Sequence, residues 1–252
     1  MAKRMMTAHE WDAIERESNE MMKKTGAYLW YKSIVDAEEN VPERWDLDTW
    51  LKIHHVPNDF DVMQGMHALR NIYTRKYGFV IVTKNLVRDL KKFLFKDSKV
   101  LEVMSGTGYM AMALRQEGVD IIPTDNKTWA GFEGRKTWVD VETIDAVKAV
   151  HKYAKDVDFV LMSWPPYMDP IGYHVWLAIQ EEIKALNKNI RLVLIGEGIG
   201  GCTGDDDLND GVYAHVDWDL SEICNQHFAQ FPGIHDDIQV IDYFKTREDW
   251  NK

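Results

Sequence analysis

Residues suited to cradling a polar ligand cluster in Glu102-Val103-Met104-Ser105-Gly106-Thr107-Gly108-Tyr109. The apolar run Val100–Met104 reads as a buried strand, and Met110–Gln116 reads as a helix stopped by Gly118. Small residues at such a strand-to-helix turn let the backbone approach a ligand closely and adopt positive φ. The N–H groups exposed at the helix start can then bind a polar or anionic group. Glu102 places an acid at the end of the strand. A second acid, Asp125, ends the next apolar run, 19 residues after Gly106. That offset is close to the roughly 20 residues at which an acid meets a ribose in dinucleotide folds.

A second group closes the run Val160-Leu161-Met162 with Ser163-Trp164-Pro165-Pro166-Tyr167. Two prolines stiffen a loop and lower the entropy lost on ordering it. An aromatic such as Tyr167 can stack on a planar substrate. A third group follows the fifth apolar run. Glu197 sits at a strand end as a candidate base or substrate ligand. It leads into a glycine-rich stretch, Gly196 to Gly204, and the acids Asp205, Asp206 and Asp207. This stretch reads as a mobile or tightly turned loop, with the three aspartates either solvated or holding a divalent metal. Cys202 reads as a small buried residue, and no metal site is assigned.

Positioning these groups requires alternating strands and helices. Beyond Lys99 the expected strands are Val100–Met104, Val119–Thr124, Lys136–Val141, Val157–Met162, Ile190–Ile195 and Gln239–Phe244. Helices are expected over Ile144–Tyr153, Val175–Leu186 and Ser221–Phe228. Such alternation implies an α/β, doubly wound, mainly parallel sheet of Rossmann-like type. Ligands bind these sheets outside the carboxyl ends of the strands, where strand order reverses. Residues 1–95 read as a helical N-terminal extension, rich in Met and Trp, with Thr83 capping a helix over Asn85–Phe95. Residues 96–252 form the Rossmann-like domain.

Two cysteines without a CxxC pattern, and no apolar run of membrane length, point to a cytoplasmic protein with no membrane partner. The formal net charge is −11. The segment from Leu192 to Phe244 holds eleven acids and no Lys or Arg, so it accounts for the whole excess. Arg70–Lys96, by contrast, holds eight basic residues against Asp89. The acidic segment would repel phosphates, whereas the basic run either attracts nucleic acid or forms the solvated face of helices.

The Glu102–Tyr109 segment resembles motif I of the class I S-adenosylmethionine-dependent methyltransferases, and Asp125 resembles their motif II acid. The resemblance covers about residues 98–244 and implies a sheet of the seven-stranded methyltransferase type. It implies that Glu102, Ser105, Gly106 and Gly108 line the methionine and ribose end of S-adenosyl-L-methionine, with Met104 at the first glycine position of the motif. Asn126 and Trp129 would flank the adenosine, and Asp140 with Val141 would take the place of the adenine-binding acid. A nicotinamide dinucleotide, whose sites usually carry Gly-x-Gly-x-x-Gly, is the competing reading of the turn.

Ser163 to Tyr167 resembles the Pro-Pro-Tyr loop of amino-methyltransferases. There a polar side chain and a proline carbonyl accept N–H bonds and turn an amine lone pair towards the methyl group. Trp164 departs from that pattern, since it stands where the polar residue is expected and an indole only donates. The resemblance therefore implies N-methylation of a nucleobase, nucleotide, amide or other planar substrate. A different reading is a cofactor-binding interaction module without methyl transfer. Nucleic acid, a small molecule and a protein all stay open as substrates, as does the oligomeric state.

Overall fold

A computed structural model describes residues 37–45, 70–128, 135–231 and 233–245, together with Arg16 and Glu20. Residues 70–76 are helical. Helix α1 (Lys84–Leu90) follows and runs on as a π-helical turn over Lys91–Phe95. Thr83 is extended, and its hydroxyl accepts the Leu86 N–H at 3.1 Å, which meets one of the donors a helix start leaves open. Leu86, Val87 and Leu90 bury one face.

Strand β1 (Lys99–Val103) leads into α2 (Tyr109–Gln116), then β2 (Asp120–Asp125) and β3 (Glu142–Thr143). Helix α3 (Ala146–Tyr153) is capped by Asp145 and returns to β4 (Phe159–Ser163). The chain continues through α4 (Ile171–Leu186), β5 (Arg191–Glu197), α5 (Asp206–Tyr213), α6 (Trp218–Asn225) and β6 (Asp236–Ile241). The sheet order is β3-β2-β1-β4-β5-β6. All pairs are parallel except β5 with β6. The first three strands step one way from β1 and the rest step the other way, so the order reverses between β1 and β4. This is a Rossmann-like α/β fold.

Each face of the sheet has its own core. One packs α1, α2, Tyr73 and Tyr77 on the sheet; the other packs α3, α4 and α5. Val41, Ile72 and Tyr73 share the first core with Val100 and Ile121, so residues from 37–45 and 70–95 contribute to the same core as the sheet. The remainder of that segment lies outside the described residues. No described helix is long and apolar enough to cross a membrane.

Three expectations are corrected. Among the described residues the sheet has six strands, not seven; only the bridge Val216–Ile241 lies on the outer edge of β6. The strand expected over Lys136–Val141 is replaced by the two-residue β3. Trp138 is instead drawn into an aromatic cluster, stacked on Tyr77 at 5.3 Å with its indole N–H donating to the Lys76 carbonyl. Finally, the acid triplet is a helix start. Asp205 caps α5 by accepting the Leu208 N–H at 2.9 Å, and Asp206 and Asp207 occupy the first turn, where the helix dipole favours negative charge.

Candidate functional site

A cavity of about 890 Å³ opens at the carboxyl ends of β1, β2 and β4. This is the crevice where parallel sheets of this kind bind ligands. Its wall includes Glu102, Met104, Ser105, Gly106, Asp125 and Asn126 from the first two strand ends, and Ser163 to Tyr167 from the fourth. The two stretches singled out in sequence therefore meet in one space. Gly108, Asp140, Val141 and Glu197 are not part of that wall, and Trp129 lies outside the described residues.

The turn after β1 is strongly curled: Met104, Gly106 and Gly108 all have positive φ, at 54°, 55° and 73°. For Met104 the left-handed conformation costs roughly 1–2 kcal/mol. Bonds to β2 hold it in place. Both the N–H and the hydroxyl of Ser105 donate to the Thr124 carbonyl, at 3.0 and 3.1 Å, and the Gly106 N–H donates to Asp125 Oδ2 at 2.8 Å. Gly106 faces open space, whereas a Cβ on Gly108 would lie 2.8 Å from a methyl of Val139 and another of Val141. Gly108 thus serves close packing, and Val141 is its buried neighbour. Asp140 is exposed.

Glu102 is 2% exposed, and its Oε2 has no hydrogen-bond partner. Burial, reinforced by the nearby Asp125 carboxylate and only partly opposed by Arg115, pushes its carboxyl up to about 8. Asp125 is also buried; its Oδ1 accepts the Lys127 N–H at 2.6 Å while Oδ2 holds Gly106. Each oxygen keeps a lone pair for a ligand. Asp125→Ala is expected to weaken binding of a ribose-bearing ligand by about 1–3 kcal/mol, through lost charge-assisted bonds and a loosened Gly106. Titration calorimetry with S-adenosylhomocysteine checks it.

At the other end, the Ser163 hydroxyl is buried and unpartnered. Trp164 also adopts positive φ, 51°, held by its N–H donating to the Ile195 carbonyl at 2.7 Å. Its indole N–H donates to Asp236 Oδ2 at 3.2 Å, and its ring stacks on Phe79 at 5.3 Å. Burial pushes the Asp236 carboxyl up to about 6, partly offset by that indole bond. The Pro165 carbonyl accepts the Gly204 N–H at 3.0 Å. Tyr167, 59% exposed, stands at the mouth.

Glu197 is a staple for its loop. Its two oxygens accept the N–H groups of Cys202 at 2.9 Å and His235 at 3.0 Å. Burial would raise this carboxyl, but those donors and the Arg70 charge hold it below the usual range. The glycine-rich stretch wraps this side chain closely: a Cβ on Gly201 would lie 2.2 Å from that of Glu197. The loop is therefore tightly built. Cys202 is exposed rather than buried, and it borders the cavity.

The wall also contains Arg70, Thr74, Tyr77, Phe79, Thr107 and Arg135. Apart from Thr107, which lies within the Glu102–Tyr109 turn, none carries a local motif. Thr107 is tied to the helical segment through its hydroxyl, which donates to the Tyr77 carbonyl.

No protein-family model matches the sequence, and no curated protein matches it. Among solved structures, the chain is similar to a protein of the NADB-Rossmann superfamily from Streptococcus agalactiae, with TM-score 0.39 and 15% identity, over 64% of this chain and 69% of that one. A SAM-dependent methyltransferase from Archaeoglobus fulgidus aligns with TM-score 0.34 and 18% identity, over 51% of this chain and 58% of its own. Magnesium protoporphyrin IX methyltransferase from Synechocystis PCC 6803, solved with bound SAM, aligns with TM-score 0.38 and 12% identity, over 91% and 96%. TM-scores this low assign neither cofactor nor substrate to this chain.

Proposed function

We propose that this chain is a class I S-adenosylmethionine-dependent methyltransferase acting on a nitrogen of a planar substrate. The carrying observation is Glu102, a buried acid with an unpartnered oxygen on the cavity wall, beside the cradle formed at Gly106. Such an acid fits an ammonium group, and S-adenosylmethionine carries one on its amino-acid end. Asp125, one strand over, fits the ribose hydroxyls with its remaining lone pairs. When bound, the cofactor supplies an electrophilic methyl group on a sulfonium.

The chain's own part is alignment, which supplies much of the rate in a displacement. The unpartnered Ser163 hydroxyl accepts a substrate N–H and orients the nitrogen. Tyr167 offers a face for the planar ring, and the Trp164–Phe79 stack walls the same end. A small substrate is favoured because two cations of the basic run are met within the chain: Lys76 pairs with Glu38, and Arg88 with Glu43 and Glu117. The unpaired thiols of Cys202 and Cys224 fit a cytoplasmic setting.

A second reading, a cofactor-binding interaction module, is favoured by one observation: Trp164 stands where the loop would offer an amine its acceptor, and its indole only donates, to Asp236. Methyl-labelled cofactor incubated with nucleotide, small-molecule and protein pools separates the two by mass spectrometry. Label in a product supports transfer; cofactor binding with no labelled product in any pool supports the module. Tyr167→Ala is expected to leave cofactor affinity within about twofold and cut turnover at least about tenfold. The reverse pattern would make Tyr167 a cofactor wall.

A further inference from the structure

Of the eight cations in the basic run, Arg70 alone lines the cavity. Its guanidinium carbon sits 5.3 Å from the centroid of Trp164 and 5.6 Å from that of Phe79. These contacts fix Arg70 at the Trp164 end of the cavity. A guanidinium over aromatic faces keeps its N–H donors at the edge, free to fork onto an oxyanion.

Two features show that the protein does not complete this group's bonding. Its Nε is buried and has no hydrogen-bond partner. Burial also lowers its proton affinity, and the attraction of Asp236, whose Oδ2 is held by Trp164 while its Oδ1 has no partner, and of Glu197, held by the Cys202 and His235 amides, does not restore it. A buried donor left open on the wall of a ligand cavity is costly unless a ligand meets it.

We propose that Arg70 anchors an oxyanion, a carboxylate or a phosphate, carried by the planar substrate at the Trp164 end of the cavity. This narrows the acceptor to planar molecules with an acidic substituent. It rests on the methyltransferase reading only for which ligand fills the other end.

The test is calorimetry on the full chain saturated with S-adenosylhomocysteine, which blocks the cofactor end. Adenosine 5′-monophosphate and 2-naphthoate are the phosphate and carboxylate probes; adenosine and 2-naphthamide are their neutral counterparts. At least one anionic probe is expected to bind about tenfold or more tighter than its counterpart, and which one does so identifies the source of the oxyanion. In Arg70→Met that preference is expected to fall to within about twofold, with the neutral probes and S-adenosylhomocysteine unchanged. Arg70→Lys, which keeps the charge without the fork, is expected to restore only part of it.

Equal binding of anionic and neutral probes by the unaltered protein overturns the proposal, and so does the absence of binding by both anionic probes. A preference that survives in Arg70→Met overturns it as well. The first two comparisons need no variant, so misfolding cannot shield the idea. Failure of S-adenosylhomocysteine to bind would sink the methyltransferase reading alone, because the dependence of probe binding on Arg70 is then measured without it.

Discussion

Binding of S-adenosylmethionine at pH 7 is expected to release about one proton. The carboxyl of Glu102 is pushed up to about 8 by burial and by Asp125, so roughly nine in ten molecules hold it neutral at that pH. Pairing with an ammonium group needs the carboxylate, and binding must therefore expel the proton. Calorimetry in buffers of different ionisation enthalpy reads this directly. Affinity is expected to rise as pH climbs from about 6 to 8 and then to level off. Glu102→Gln removes the proton release and weakens binding by about 1–3 kcal/mol, because an amide cannot pair with the cation. Stability has the opposite slope. Between the ordinary glutamate value and about 8 the folded state holds more protons than the unfolded one, so this group's contribution falls as pH rises through that window and is flat above it. The glutamine variant should lose that slope too. Binding with no proton exchange at any pH from 6 to 8 would show that Glu102 does not meet the ligand's charge.

Gly108→Ala is expected to destabilise the fold by about 2–4 kcal/mol, combining a left-handed backbone with overpacking. The added carbon would press on methyls of Val139 and Val141 at 2.8 Å, at a φ of 73°. Gly106→Ala has the same backbone penalty but nothing within 4 Å of the new carbon. It should cost roughly 1–2 kcal/mol in stability and, by intruding on the cavity, weaken cofactor binding more than it weakens folding. Denaturant midpoints and calorimetry on the pair therefore separate packing from recognition. Equal loss of stability in both variants would contradict the distinction.

The strand-turn-helix at Glu102–Tyr109 was legible because its signal is local: an apolar run, small residues, then a helical period. The same holds for Thr83 as a cap and for the meeting of the β1 and β4 ends, which the parallel alternation implies. The failures have a common cause. Lys136–Val141 alternates like a strand, yet Trp138 finds partners in Tyr77 and Tyr109, more than 25 residues away in sequence. The glycines after β5 fit a mobile or a tightly turned loop equally, and only packing decides: two of them make room for Thr203 and the Glu197 side chain. Asp205–Asp207 looked like a solvated or metal-binding cluster, but Asp205 starts a helix. Arg70 and Phe79 join the cavity through contacts with Trp164, about 90 residues on, and no spacing rule connects them. Met104 shows a different limit. The expected glycine marked a left-handed position correctly, and the backbone takes that conformation without it.

A crystal structure with S-adenosylhomocysteine tests the central claim most directly. The ligand's ammonium nitrogen is expected about 3 Å from Glu102 Oε2, with the ribose hydroxyls on Asp125 and the sulfur facing Ser163. A ligand seated elsewhere, or reversed so that its adenine lies against Glu102, would contradict it.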